Sequence, residues 1–162
     1  MVELKVPGLQ NTGIEKRAVD VIRKYHVEDS VYLSSFNPFV LYRLKKLDPN
    51  IRTVLIMMDT NWNPQLLAEI KPEDLVNLPW FLRQEWIRRA IRKIIRPDLL
   101  SVNHQVDEKT IDTLLRKGHP IFLWTPEDEK DLRWVISKKP NGDNSDEQNL
   151  AKSLRDDAAS AP

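Results

Sequence analysis

The sequence predicts an α/β protein built on a parallel sheet. Short apolar runs alternate with helically spaced ones along most of the chain, which is the pattern of βαβ units. The strand runs end in polar residues and turn directly into helices, as in Val31-Tyr32-Leu33-Ser34-Ser35-Phe36-Asn37-Pro38. No Gly-rich phosphate loop follows any strand, which argues against a nucleotide-binding doubly wound sheet. About five strands are legible, too few for a complete eight-stranded barrel, and pattern alone leaves the closure of the sheet open.

The elements follow in order. Val2 to Val6 reads as a strand stopped by Pro7-Gly8. Ile14, Ala18, Val21, Ile22 and Tyr25 fall at helical spacing between Gly13 and Val27. Val31, Tyr32 and Leu33 favour a pleated, buried surface. Behind them Asn37 suits a helix cap and Pro38 a first turn. Val40, Leu41, Leu44 and Leu47 line one face of that helix, and Asp48-Pro49-Asn50 ends it. Arg52 to Asp59 is the next strand, again with a polar exit. The alternation then breaks over a long stretch, 61–97, that carries Trp62, Trp80 and Trp86. It resumes with a strand over Asp98 to His104 and a helix over Asp107 to Lys117, where Gly118 suits the C-terminal cap. Pro120 to Thr125 is the last clear strand, and a helix follows around Asp128 to Ser137. The expected organisation is one domain over 1–154 with 61–97 as an insertion, then a disordered polar tail over 155–162.

Composition sets outer limits on function. Hydrophobic residues make up 41% and charged residues 30% of the 162, enough for a globular core. A formal net charge of +1 provides no global field to draw the chain onto nucleic acid, so no nucleic-acid partner is expected. The absence of Cys excludes disulfides and thiolate metal sites. No run approaches the roughly 18 apolar residues of a membrane span, and the opening residues lack the pattern of a signal peptide. A cytoplasmic or membrane-peripheral location is the expectation.

Four segments carry a family resemblance. Glu3-Leu4-Lys5, Leu33-Ser34-Ser35-Phe36-Asn37-Pro38, Leu47-Asp48-Pro49-Asn50-Ile51-Arg52-Thr53 and Gly118-His119-Pro120-Ile121-Phe122-Leu123-Trp124-Thr125 resemble, in order and spacing, the glycerophosphodiester phosphodiesterase family. They match its fourth, fifth, sixth and eighth barrel strands. The resemblance implies a partial TIM barrel of the phospholipase C-like type, lacking the first three strands. It implies hydrolysis of glycerophosphodiesters to glycerol 3-phosphate and an alcohol by the complete enzyme, with a divalent cation, Ca²⁺ or Mg²⁺. The family's His-Arg-Gly, Glu-x-Asp and His-Asp segments, which supply the acid/base histidines and two metal-binding carboxylates, have no counterpart in this sequence. The chain alone is therefore expected to be inactive and to hold no cation tightly.

By the same resemblance Glu3 is a metal ligand and Lys5 an active-site cation. The residues themselves are compatible with those roles. Both lie on one side of an alternating strand, a carboxylate suits hard divalent ions, and an ammonium can stabilise a phosphoryl oxygen. A solvated strand at a chain end is the plain alternative. Ser35 and Phe36 would lie at the mouth of the site, and Trp124 would wall the glycerol or alcohol group; a cap and core packing are the alternatives. Of the three histidines, His26 ends a helix, His119 sits in a turn, and His104 lies at a strand exit, where it is a substrate-binding or rim residue.

The stretch from Pro79 to Pro97 is strongly basic and amphipathic. Trp80, Phe81, Leu82, Trp86, Ile87, Ala90, Ile91, Ile94 and Ile95 make its apolar stripe, opposite Arg83, Arg88, Arg89, Arg92, Lys93 and Arg96. Such a helix suits a membrane surface, with Trp80, Trp86, Arg88, Arg89 and Arg92 as the contacts, or else covers the sheet. A noncatalytic module that self-associates through open sheet edges is the reading from another class.

Overall fold

The computed structural model describes residues 1–6, 10–57, 85–126, 128–144 and 151–156. The chain divides into two compact units, one of Met1–Ile56 with Thr60–Asp98 and one of Met57–Asp59 with Leu99–Pro162. Each is a parallel βαβαβ array, the fold class that the alternation of strands and helices predicts.

The first unit contains β1 (Val2–Glu3), α1 (Ile14–Tyr25), β2 (Tyr32–Ser35), α2 (Pro38–Leu47), β3 (Arg52–Met57) and α3 (Glu85–Ile95). Its strands pair side by side, with Glu3 level with Ser34 and Ser34 level with Val54. Helix α2 packs on α1, on β2 and on α3. It is made by its ends as much as by its apolar face. The Asn37 side chain accepts from the Phe39 N–H at 3.0 Å, and Pro38 occupies the first turn, where its missing N–H costs nothing. Val40, Leu41 and Leu44 are fully buried, whereas Leu47, expected on the same face, is largely exposed.

Helix α1 turns a different face inward from the one its apolar residues suggest. Glu15, Val19 and Ile22 are buried, and Val21 and Tyr25 face solvent. A carboxylate on a buried stripe must be compensated. Arg43 of α2 does this, with its Nε and a terminal nitrogen each 2.6 Å from Glu15 Oε1. The pair ties α1 to α2.

At the return from α3 to the sheet, Asp98 Oδ2 accepts from the Thr53 N–H at 2.7 Å, the Thr53 hydroxyl at 3.0 Å and Lys45 Nζ at 2.8 Å. Burial pushes this carboxyl up, but the Lys45 and Thr53 hydrogen bonds outweigh it and hold the group below its ordinary value.

The second unit contains β4 (Leu99–Asn103), α4 (Glu108–Arg116), β5 (Ile121–Trp124), α5 (Glu129–Ser137) and β6 (Gly142–Asn144), followed by a helix over 151–156. Asp107 and Asp128 cap α4 and α5, and Gly118 takes the left-handed conformation, φ +72°, just past α4. Strand β6 was not legible in the sequence. Its residues Gly142, Asp143 and Asn144 have little strand propensity, and pairing with Phe122, Leu123 and Trp124 makes the strand. Gly142 is required there, because a Cβ would stand 2.6 Å from Phe122 Cε1. The helix over 151–156 buries Ala151 and Leu154 against Leu132 and continues through Arg155 and Asp156, the first residues of the expected tail. The rest of that tail, and most of the 61–97 insertion including Trp62 and Trp80, lie outside the described residues.

Candidate functional site

In parallel βα arrays the carboxyl edges of the strands are where ligands are handled. In the first unit, β1 is shorter than the strand expected over Val2 to Val6, and the extended segment that continues it buries Leu4 and Val6 and leaves Glu3 and Lys5 exposed. From Glu3 to Val6 exposed and buried residues alternate, as they do along extended backbone with one open face, while Val2 is exposed as well. Three side chains at the exit of β2 hold this segment in place. Ser34 Oγ donates to the Val2 carbonyl at 3.2 Å, Ser35 Oγ to the Leu4 carbonyl at 2.8 Å, and Asn37 Nδ2 to the Val6 carbonyl at 3.1 Å. Every second carbonyl of the first strand thus receives a side-chain donor from the Ser-Ser-Phe-Asn turn. Ser35 Oγ also accepts from the Asn37 N–H at 3.1 Å, so the hydroxyl is engaged within the fold. Phe36 stands partly buried between them.

In the second unit, Asn103, Trp124 and Asn144 are level at the carboxyl edge. Trp124 is partly exposed. Asn103 is buried, and its Oδ1 accepts from the Gln105 N–H at 2.8 Å, turning the chain sharply after β4. An Asn at a strand exit is a turn signal in the sequence itself. His104, on the next residue, is 7% exposed. Its Nδ1 lies 3.2 Å from the Trp124 carbonyl oxygen and its Nε2 3.0 Å from Asp131 Oδ2 at the start of α5. Both ring nitrogens are thus directed at groups of the protein itself. His26 and His119 are elsewhere: His26 caps the far end of α1, and His119 precedes β5 at the amino edge of the sheet.

Helix α3 sorts its residues differently from the single apolar stripe expected. Ile87, Ile91 and Ile95 turn inward, and Arg92 is buried with them. Trp86, Arg89, Ala90, Lys93 and Ile94 form the outward face. The side chain of Arg88 and all of Trp80 lie outside the described residues. Of the cations expected at a membrane surface, Arg89 faces outward and Arg92 does not, because packing of the Ile87-Ile91-Ile95 row carries it inward.

A hard divalent cation wants about six oxygen ligands. Glu3 is the one carboxylate on β1, and among the described residues no group of three or more His, Asp or Glu side chains is arranged to hold a metal ion.

Parallel βα units with polar side chains at the carboxyl edges define a protein of the α/β class with a parallel sheet. The Glycerophosphoryl diester phosphodiesterase family model matches residues 3–147, and the chain belongs to that family. A glycerophosphodiester phosphodiesterase of Caldanaerobacter subterraneus subsp. tengcongensis is 24% identical over 139 residues, covering 72% of this chain and 55% of its own. The crystal structure of a Silicibacter pomeroyi protein assigned as a glycerophosphoryl diester phosphodiesterase shares the fold, with a TM-score of 0.73, 16% identity, and coverage of 98% of this chain and 50% of that one. A phosphodiesterase of Oleispira antarctica, solved with the product sn-glycerol-3-phosphate, has a TM-score of 0.62, 18% identity, and coverage of 88% and 49%. The chain spans about half the length of the relatives it matches, and its fold is that of part of a TIM-barrel-type phosphodiesterase.

Proposed function

We propose that this chain is part of a phosphoric diester hydrolase that cleaves glycerophosphodiesters to glycerol 3-phosphate and an alcohol in a divalent-cation-dependent reaction. The observation that carries this reading is the exposed Glu3-Lys5 pair on an extended segment whose Leu4 and Val6 are buried, within a chain of this family. Glu3 contributes one oxygen ligand to a Ca²⁺ or Mg²⁺ site that residues beyond those described complete. Lys5 offsets negative charge on a phosphoryl oxygen. In the first unit Phe36 meets the glycerol or alcohol group beside Glu3 and Lys5. Ser35, whose hydroxyl is engaged within the fold, positions Phe36; in the second unit, taken by itself, His104 positions Trp124, an apolar wall at that unit's carboxyl edge.

The 162 residues alone do not turn over substrate on this reading. Hydrolysis needs a positioned acid and base. Of the three histidines only His104 lies at a carboxyl edge, and its ring nitrogens are engaged. The test is glycerol 3-phosphate release from glycerophosphocholine with Ca²⁺ or Mg²⁺. The isolated chain should release none above background, and sustained turnover would overturn the claim that it is incomplete.

Two partners besides the substrate belong to the proposal. The outward face of α3 meets a membrane surface, as befits a phospholipid-derived substrate. Among the described residues β1 pairs on one side only, so its open edge favours self-association as a second, noncatalytic reading. Light scattering separates them: a strictly monomeric chain sinks self-association.

A further inference from the structure

We infer that the outward face of α3 is a docking surface for anionic lipid, with Trp86 and Ile94 entering the headgroup boundary and Arg89 and Lys93 meeting lipid phosphates. This rests on the membrane-surface reading above and deepens it by naming the lipid class and the residues that grip it.

The geometry is as follows. At about 100° per residue, positions 89, 93, 86, 90 and 94 fall in that order across an arc of about 140°. Among the helix residues whose side chains are described, these are the exposed ones, and Ile87, Ile91, Arg92 and Ile95 occupy the opposite side. Packing against the protein is thus satisfied by one isoleucine row, and the second apolar row is left over. Trp86 is 71% exposed and Ile94 68% exposed, two turns apart on the same face. A tryptophan and an isoleucine held in water have no benefit from folding. Beside them runs a row of cations, Arg89 and Lys93, with exposed Arg96 just beyond the helix. Glu85 is the lone acidic residue of α3, against Arg88, Arg89, Arg92 and Lys93.

That combination selects among occupants. A second copy of the chain would bring the same cations against each other. A nucleic acid would use the cations and leave Trp86 and Ile94 unexplained. An anionic bilayer surface uses both rows at once, because apolar side chains enter the acyl boundary and cations sit at the phosphates. Among the described residues no helix is long and apolar enough to cross a membrane, so the contact lies on the surface.

The test is cosedimentation of the chain with vesicles of phosphatidylcholine alone or with about 30% phosphatidylglycerol, whose surface potential attracts basic side chains. Binding is expected only to the anionic vesicles, and it should weaken in about 0.5 M salt, which shortens the Debye length. Lys93→Glu should weaken it at least about fivefold, the value of one surface cation. Trp86→Ala combined with Ile94→Ser should weaken it at least about tenfold through the lost apolar insertion. Tyr25→Ser, at an exposed apolar residue of α1, should change nothing. Far-UV circular dichroism confirms that each variant is folded. No sedimentation with any vesicle would sink the membrane reading together with this inference. Equal, salt-insensitive binding to both vesicle types would sink the anionic-lipid assignment and leave a membrane contact standing. Heparin binding that survives Trp86→Ala, or a dimer abolished by it without vesicle binding, would assign the face to a polyanion or to a second copy and overturn the inference. None of these readouts depends on turnover.

Discussion

Replacing Asp98 with Ala should be among the most damaging single changes in the first unit, although its side chain is 41% exposed. One oxygen, Oδ2, accepts from the Thr53 N–H, the Thr53 hydroxyl and Lys45 Nζ. Thr53 is fully buried, so removing the carboxylate orphans two buried donors at the start of β3. An orphaned buried donor costs about 1–3 kcal/mol. The exposed Lys45 pair adds about 0.2–1 kcal/mol after screening. Asp98→Ala should therefore cost about 3 kcal/mol, which for a urea slope of about 2 kcal/mol/M lowers the midpoint by about 1.5 M. Asp98→Asn keeps an acceptor and should cost about 1 kcal/mol.

The pH dependence follows from the sign of the shift. The folded carboxyl lies below its ordinary value of 3.8, so the folded state releases this proton more readily than the unfolded chain. Its stabilisation is complete well above pH 3.8 and is lost as pH falls through the folded value. Wild type and Asp98→Asn should converge in acid and separate toward neutrality. An Asp98→Ala midpoint within about 0.2 M of wild type would refute the reasoning. A wild-type advantage over Asp98→Asn that grows in acid would do the same.

Gly142→Ala should destabilise the second unit by about 1–3 kcal/mol through overpacking on Phe122, with much of the loss recovered by adding Phe122→Leu; a thermal melt of the four proteins checks this. Arg43→Ala should cost about 3 kcal/mol because it strands Glu15, which is 1% exposed, whereas Glu15→Leu with Arg43→Met should lie much closer to wild type in urea. Asn37→Ala removes both the α2 cap and the tie to the Val6 carbonyl, and should cost about 2 kcal/mol and speed hydrogen exchange at the Leu4 amide.

The alternation of strands and helices was legible because buried parallel strands are continuous apolar runs and their helices carry caps. Asn37-Pro38, Asp107 and Gly118 each sit where their local chemistry suggests. The family was legible because its motifs cluster at strand exits. What escaped was set by tertiary context. Glu15 falls on the buried stripe of α1 with Val19 and Ile22, and only Arg43, twenty-eight positions away, makes that tolerable. In α3 two isoleucine-bearing rows compete for the inside, and neither periodicity nor hydrophobicity ranks Ile91 above Ile94. Strand β6 has no propensity of its own and exists because Phe122, Leu123 and Trp124 offer a partner. His104 sits at a strand exit, and only the fold brings Asp131, from α5, against its ring.

The account stands or falls on Glu3 as a metal-site carboxylate. The decisive measurement is Ca²⁺- or Mg²⁺-dependent release of glycerol 3-phosphate by the protein with its cation site completed, with and without Glu3→Gln. The rate should fall by at least about a hundredfold, the upper range for disturbing a metal's ligation, while the urea midpoint stays unchanged because Glu3 is exposed. Full activity retained by Glu3→Gln would contradict it.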